Sequence, residues 1–314
     1  MARKRLHKDR VIRKTRSTLF KIAKWILIIE ICFIIVMPLV NVIVHSVFSI
    51  DDAYDALVYI VPKAPTFFNF EAAIKGLNYF TSLLLSVLYS GGLTLLQILV
   101  CSLVGYGFAR FEIPFKKLFF AAVILTVVVP SHLTLAPLYD QMKSFDIFGV
   151  FGLFNGGEGI NLLGTFLPAA LMTIFGTGLR AGLFIFLFRQ SFKGLPNSLE
   201  EASMIDGAGH LKIYARVMLP NVIPVIITVF LLSFVWQYND TLYTTQFMPA
   251  AEMISNKIST LQGSLHNVGN FTDYKQIELV VNAGVVLTLA PLVVIYVALQ
   301  RHFVEGMQSS GIVG

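Results

Sequence analysis

The residues whose types and spacing suggest chemistry are concentrated in one polar stretch, residues 190–220, between two apolar runs. Ser198 and Glu201 have the spacing of a helix capping box. Gly207 stands where a left-handed residue would end that helix, and a second short helix is predicted over 211–217. The apolar residues of the first helix share one face: Leu199, Ala202 and Ile205. A short helix with a small apolar face is typical of segments that dock into a groove on another protein.

No pattern in the chain predicts catalysis. The phosphate-binding loop GxxxxGK[ST] does not occur, so the chain is not expected to bind ATP in that manner. There is neither a catalytic triad nor a metal-ligand spacing. The two cysteines, Cys32 and Cys101, lie in separate apolar runs and indicate no disulfide framework. We therefore expect no catalytic residue, no metal and no cofactor in this chain.

Arg180 lies between two glycines, Gly178 and Gly182, within an apolar run. A charge at membrane depth costs about 2.5–3.5 kcal/mol on insertion scales, so we expect this side chain to face the bundle interior or water. It is either a structural partner of a neighbouring acid or carbonyl, or part of a solute pathway. For His132, a buried hydrogen-bonded role is favoured over a role as a ligand.

A second polar cluster, residues 236–240, combines aromatic and amide side chains in the sequence Trp-Gln-Tyr-Asn-Asp. Such groups bind sugars by stacking and by paired hydrogen bonds. An aromatic belt at the membrane interface is the alternative interpretation. The candidate pathway residues are Arg180, Gln237, Tyr238 and Asn239.

The composition defines the elements that must position these residues. The chain is 56% hydrophobic and only 13% charged, whereas soluble domains carry about 25% charged residues. This indicates an integral membrane protein of the all-α class. A spanning helix needs about 20 apolar residues, and the sequence predicts six transmembrane helices within a domain covering 24–303. Their predicted bounds are 24–48, 81–109, 116–139, 165–189, 221–243 and 279–303.

The distribution of basic residues predicts the orientation. Ten of the 24 Lys and Arg lie in the N-terminal segment 1–23 or directly after it, at Lys24. A basic segment before an apolar run is typical of a cytoplasmic flank held by anionic lipid, and we prefer this to nucleic-acid binding. Eighteen Lys and Arg fall on one side of the predicted spans and five on the other. Both termini, including the tail 304–314, and the stretch 190–220 are therefore predicted to be cytoplasmic.

Three connecting segments are predicted on the outer side: 49–80, 140–164 and 244–278. The first carries several Asp and Pro residues, which predict an extended and solvated loop.

The stretch 190–220 resembles the EAA loop of binding-protein-dependent ABC importer permeases. The family pattern is Glu-Ala-Ala, three residues, Gly, nine residues, then Ile, one residue, Leu-Pro. The matching residues here are Glu201, Ala202, Ser203, Gly207, Val217, Leu219 and Pro220. Two departures are conservative, with Ser203 in place of the second Ala and Val217 in place of Ile.

This resemblance implies the type I ABC importer permease fold. The closing residues 300–314 are similar to those of the carbohydrate-uptake branch, which includes the smaller permease of the maltose transporter. The implied partners are a second permease in a heterodimer, two ATPase subunits that bind ATP and Mg²⁺, and an extracytoplasmic solute-binding protein. The implied location is the bacterial cytoplasmic membrane, and the tail is expected to reach the ATPase interface. The implied ATPase-coupling residues are Glu201, Ala202, Ser203, Asp206, Gly207, Leu219 and Pro220.

Three alternatives to a sugar importer stay open at this stage. An ABC permease could carry another solute, such as an amino acid, a peptide or a polyamine. A gradient-driven secondary transporter would be expected to have paired intramembrane acids and inverted repeats. Glu30 is the one acid clearly within a predicted span, and Asp240 lies at a boundary. A scaffold protein would explain the docking segment but neither Arg180 nor the prolines within the spans.

Overall fold

The computed structural model describes residues 2–146, 149–154, 157–268 and 271–311. Within them the chain is helical, and the one β contact is a single bridge between Phe145 and Ile160. The prediction of an all-α protein is confirmed. The α-helices are α1 (Ala2–His45), α2 (Ile50–Tyr54), α3 (Phe68–Leu77), α4 (Tyr79–Arg110), α5 (Lys116–Val128), α6 (Ser131–Lys143), α7 (Val150–Phe154), α8 (Leu167–Ile174), α9 (Ala181–Gly194), α10 (Ser198–Ile205), α11 (His210–Ile213), α12 (Ile223–Tyr238), α13 (Leu242–Phe247), α14 (Ile254–Val268) and α15 (Tyr274–Gly311).

Four segments among the described residues are single helices long and apolar enough to cross a membrane. They correspond to the first, second, fifth and sixth predicted spans: Thr18–His45, Tyr79–Arg110, Pro220–Tyr238 and Tyr274–Arg301. The apolar side chains of the first are exposed, as is normal for a helix that faces lipid. The number of membrane crossings and the side on which the termini lie stay predictions.

The third predicted span, 116–139, is a pair of helices, α5 and α6, bent by 101°. The bend lies at Val129 and Pro130, both of which have extended backbone. Proline disfavours the helical conformation of the residue before it, and its ring nitrogen has no hydrogen to donate. Counted as one broken span, the pair raises the number of candidate spans to five among the described residues.

The fourth predicted span, 165–189, is interrupted, and the prediction of one continuous helix there is wrong. Helix α8 ends at Ile174 and α9 begins at Ala181. Between them Gly176 and Arg180 both have left-handed backbone, with φ of 72° and 59°. Glycine adopts this conformation at little cost, and together the two residues turn the chain out of the helical path.

The outer connecting segments contain more helix than predicted. The segment 49–80 was expected to be extended and solvated, but it holds α2 and α3. Asp52 is buried there, and its carboxylate accepts the backbone N–H of Ala64 at 2.9 Å. The acidic residues therefore satisfy backbone groups locally. Helices α13 and α14 occupy most of 244–278.

The structure divides into two units. In the unit made of Met1–Ala73 and Ser264–Leu287, the buried side chain of Asn69 ties chain segments together. Its Nδ2 donates to the carbonyl oxygens of Ser46 at 3.1 Å and Phe48 at 2.8 Å. Its Oδ1 accepts a hydrogen bond from Gln276 Nε2 at 3.0 Å.

The other unit, Ile74–Gly263 with Thr288–Gly314, is built around α4, which packs against α8, α9 and α12. Its core is rich in aromatic side chains, and Phe184, Phe188 and Phe192 of α9 are fully buried. At Gly105 helices α4 and α9 approach so closely that an added Cβ would lie 2.6 Å from Phe188 Cβ. Small residues permit such close packing of helices in membranes.

This contact predicts a stability effect. Gly105→Ala should force α4 and α9 apart and destabilise the fold by about 1–3 kcal/mol, the usual cost of overpacking. Gly92→Ala on the same helix is the matched control, because no atom lies within 4 Å of its added Cβ. The measurement is the thermal unfolding midpoint of the purified protein in detergent. Equal midpoints for the two variants would contradict the packing described here.

Candidate functional site

The stretch 190–220 forms the predicted helix, glycine turn and second helix. Helix α10 ends in a pair of backbone hydrogen bonds, from Gly207 N to Met204 O and from Ala208 N to Ser203 O, both 3.0 Å. Gly207 has a φ of 77°, which confirms the predicted left-handed turn. This is the Schellman arrangement, in which the residues after the helix satisfy its last carbonyls. After α11, a π-helical turn at Tyr214–Met218 and a 3-10 turn at Pro220–Val222 lead into α12.

The start of α10 differs from the prediction. The capping residue is Asn197, and neither it nor Ser198 makes a side-chain cap of the predicted kind. Glu200 is instead buried, with its Oε2 3.4 Å from Arg110 Nε. The capping box of Ser198 and Glu201 is not formed, because Ser198 is the first residue inside α10 rather than its cap and Glu201 is exposed. The start of this helix is held instead by the tertiary contact of Glu200 with the end of α4.

This segment exposes three large apolar side chains. Met204 is 47% exposed, Ile205 86% and Leu211 77%. Exposed large apolar side chains are candidates for contact with another protein. We call these three residues the docking face. The predicted coupling residues lie around it, with Glu201, Ala202, Asp206, Gly207 and Pro220 exposed and with Ser203 and Leu219 half-buried.

Contacts with α4 hold the inner side of this segment. Tyr214 and Ser102 share a hydrogen bond of 2.7 Å between their buried hydroxyls. The rings of Tyr106 and Tyr214 lie 5.3 Å apart, and Tyr106 also meets Phe192 edge-on. Sequence reasoning missed these anchoring residues, because aromatic side chains in apolar runs carry no signal that distinguishes an anchor from a lipid-facing residue.

Arg180 lies at the start of α9, and its side chain is exposed. Its guanidinium carbon is 5.6 Å from the centre of the Trp236 ring, in a cation–π contact. The residue borders a cavity of about 930 Å³ between the broken helix pairs α5–α6 and α8–α9. Other polar residues line this cavity: Ser131, His132, Thr134, Gln141, Thr177, Asp240 and Tyr243.

The other candidate pathway residues lie apart from this cavity. Gln237 is buried and donates to Gln97 Oε1 at 3.3 Å. Tyr238 is buried and its hydroxyl donates to the carbonyl of Thr288 at 3.0 Å. Asn239 is exposed and donates to the carbonyl of Val235 at 2.9 Å. Of the four residues, the structure places Arg180 alone at the cavity.

Gln97 is a further polar residue that the sequence gave no reason to select. Its buried Nε2 donates to the carbonyl of Leu179 at 2.7 Å, and its Oε1 accepts from Ser233 Oγ at 2.9 Å as well as from Gln237. The amide thus joins α4, α12 and the break before α9. It fixes the backbone of the residue next to Arg180.

In the described part of the chain, no group of three or more His, Cys, Asp or Glu side chains could hold a metal ion.

Residues 97–309 match the family described as binding-protein-dependent transport system inner membrane component. The chain belongs to this family. The match covers both the docking face and the cavity. It makes the protein a multi-pass membrane component of a transport system, and the predicted family is confirmed.

Individual relatives agree with this assignment. The permease is 27% identical to the arabinooligosaccharides transport system permease protein AraQ of Halalkalibacterium halodurans, over 93% of this chain and 98% of that protein. Its fold is similar to a chain of a bacterial ABC transporter involved in import of the acidic polysaccharide alginate, with a TM-score of 0.65, 19% identity, and coverage of 91% and 96%. A crystal structure of an alginate transporter in complex with an alginate pentasaccharide-bound periplasmic protein matches with a TM-score of 0.53, 15% identity, and coverage of 89% and 92%.

The Gln97 network gives a prediction for the permease. Gln97→Leu removes a hydrogen-bond partner from the Leu179 carbonyl, Gln237 Nε2 and Ser233 Oγ, of which Ser233 keeps its contact with Thr94. Leaving a buried polar group unpaired costs about 1–3 kcal/mol. We expect faster amide hydrogen exchange over residues 176–180 and a lower thermal midpoint. Gln262→Leu is the control, because Gln262 is exposed on α14. Unchanged exchange at 176–180 in Gln97→Leu would show that the amide does not hold this break.

Proposed function

We propose that this permease forms half of the translocation pathway of an ATP-driven importer for a sugar, most simply an oligosaccharide, in the bacterial cytoplasmic membrane. The observation that carries the proposal is the docking face of Met204, Ile205 and Leu211, exposed on a segment with the spacing of an EAA loop. We extend to this chain the type I importer topology of six spans with cytoplasmic termini. In that topology a broken span counts as one crossing.

The proposed mechanism is mechanical. A separate ATPase binds ATP and Mg²⁺, and its closure displaces the docked helix α10. The anchoring of the segment against α4 supports this proposal, because a segment held by buried contacts moves with the helix to which it is attached. Glu201 would make a polar contact with the ATPase, and Ala202 and Ser203 would permit close approach.

The proposed assembly contains a second permease as a heterodimeric partner, two ATPase subunits and an extracytoplasmic solute-binding protein. The similarity to a transporter crystallised with a periplasmic protein supports the last of these. The tail, 304–314, is proposed to reach the ATPase interface, although residues 312–314 lie outside the described part of the chain.

The proposed solute follows from the names of similar proteins and from the chemistry of the cavity. One relative is named for arabinooligosaccharides, and the similar structures belong to an alginate importer. The cavity bordered by Arg180 carries hydroxyl, amide and aromatic groups, which are the groups that bind saccharides. The binding protein would select the particular sugar.

The first test is composition of the native complex. The chain is purified from its own membrane in mild detergent, and the proteins that accompany it are identified by mass spectrometry. We expect an ATPase and a second multi-span permease. A chain that purifies alone, under conditions in which other importer complexes survive, would contradict the proposal. Uptake driven by an ion gradient without ATP would instead favour a secondary transporter.

Substitutions in the EAA-like segment test the docking role. Glu201→Lys reverses a charge beside the docking face, and Gly207→Pro removes the left-handed turn. Either change should reduce the ATPase bound per permease at least about tenfold, as expected for a central interface residue, while insertion into the membrane stays normal. Glu112→Lys is the control, since Glu112 is also an exposed acid on a predicted cytoplasmic loop. Full ATPase binding in both variants would show that this segment is not part of the interface with the ATPase.

A further inference from the structure

We propose that Arg110 is a positioning residue that fastens the end of α4 to α10, so that displacement of α10 by the ATPase is passed directly into α4. The inference rests on the proposed function and deepens it, because it names the residue through which the docking segment acts on the membrane helices. The resemblance to the EAA loop assigns no role to Arg110, which lies more than 80 residues earlier in the chain.

One guanidinium group makes two hydrogen bonds and one longer ion-pair contact with the segment. Arg110 Nη2 donates to the carbonyl of Leu195 at 2.7 Å, and Nη1 donates to Asn197 Oδ1. Nε lies 3.4 Å from Glu200 Oε2. The three partners are the residues that lead into α10 and its first turn. The planar fork of arginine can bond in several fixed directions at once, which lysine cannot do.

The contact is buried. The side chain of Arg110 is 9% exposed and that of Glu200 is 11% exposed. Among the described residues, Arg110 is the one cation that forms an ion pair with Glu200. Loss of one partner would leave a charge in a poorly solvated place, which is strongly unfavourable. We call the contacts of Arg110 with Leu195, Asn197 and Glu200 the joint. Because it is buried, the joint resists separation more strongly than an exposed surface ion pair would.

Helix α4 connects this joint to the edge of the cavity. Arg110 is its last residue, and Gln97 lies 13 residues earlier on the same helix, a distance of about 20 Å along an α-helix. Gln97 holds the carbonyl of Leu179, next to Arg180 at the cavity. A rigid helix thus carries one buried contact with the docking segment and another with the break that borders the cavity.

The ring contacts beside the joint favour the same interpretation. Phe111, the residue after α4, meets His210 of α11 edge-on, with ring centres 5.4 Å apart. The helices on both sides of the glycine turn, α10 and α11, are therefore attached to the end of α4. A load on the docking face would reach α4 through both attachments.

The experiment measures whether nucleotide binding still reaches the cavity when the joint is broken. The complex that purifies with the chain is placed in lipid nanodiscs, after replacement of the two cysteines by Cys32→Ser and Cys101→Ala. Thr177→Cys, at the cavity, then serves as the reporter. Its rate of labelling by N-ethylmaleimide is measured without nucleotide and after trapping with ATP and vanadate. This readout needs no knowledge of the solute.

Four variants are compared with this reporter chain. Arg110→Gln removes the whole joint. Glu200→Gln removes the ion pair but leaves the bonds to Leu195 and Asn197. Arg110→Lys keeps the charge without the fork. Lys117→Gln is the matched control, because Lys117 is an exposed cation on the loop after α4. The amount of bound ATPase is recorded for each.

We expect trapping to change the labelling rate about tenfold in the reporter chain and in Lys117→Gln, within the usual range of coupling between sites. The ratio should fall to about threefold or less in Arg110→Gln, with the ATPase still bound. It should fall by a smaller factor in Glu200→Gln, which keeps the bonds to Leu195 and Asn197. Arg110→Lys should restore part of the ratio. If Arg110→Gln does not bind the ATPase, the labelling ratio of Glu200→Gln tests the inference instead.

If trapping changes the labelling rate in Glu200→Gln or Arg110→Gln as much as in the reporter chain, with the ATPase bound, the inference is wrong but the proposed function stands. Absence of an ATPase from the reporter complex, or no response to trapping in it, would overturn the proposed function and this inference together.

Discussion

The architecture depends on satisfying polar groups inside an apolar bundle, and Gln97 is the buried residue that does so where the fourth predicted span is broken. Within the hydrocarbon core of a bilayer, an unpaired backbone carbonyl has no water molecule from which to accept a hydrogen bond. The break between α8 and α9 exposes such groups, and the buried amide of Gln97 meets the carbonyl of Leu179. The same amide accepts from Ser233 and Gln237 of α12. A broken helix is thus tolerated because an intact neighbour supplies the missing partner.

The stretch 190–220, which we call the docking segment, is also stabilised by buried polar contacts. Its outer side is exposed and apolar, and its inner side is held by Arg110 and by the hydroxyl contact between Ser102 and Tyr214. A segment that had to transmit force without such contacts would deform under load. Helix α4 therefore contacts both the stretch 190–220 and the break at the cavity, and so connects two places that are far apart in the sequence.

Local chemistry made the docking segment predictable. Gly207 ends α10 in the expected left-handed conformation, because this requirement is carried by one residue and its neighbours. The predicted capping box is wrong because α10 begins one residue earlier than the box requires, with Asn197 at the cap. The buried ion pair of Glu200 with Arg110 of α4 was not predictable, because spacing within a helix gives no information on distant partners. Hydropathy predicted six spans, and four of them are single helices in the structure. It did not predict the breaks in the third and fourth spans, although the sequence contains Pro130 in one and Gly176 and Gly178 in the other. Gln97 could not have been selected, since its partner Leu179 is 82 residues away.

The central claim is that α10 presents its exposed face to an ATPase, and site-directed photo-crosslinking tests it most directly. A photoreactive phenylalanine analogue is placed at Ile205, which is 86% exposed, and separately at Leu57, which is 89% exposed on a predicted outer loop. Cells expressing the full chain are irradiated, and the crosslinked proteins are identified. The account predicts an ATPase crosslinked at residue 205 and none at residue 57. An ATPase captured at residue 57, or none captured at residue 205 in an assembled complex, would contradict it.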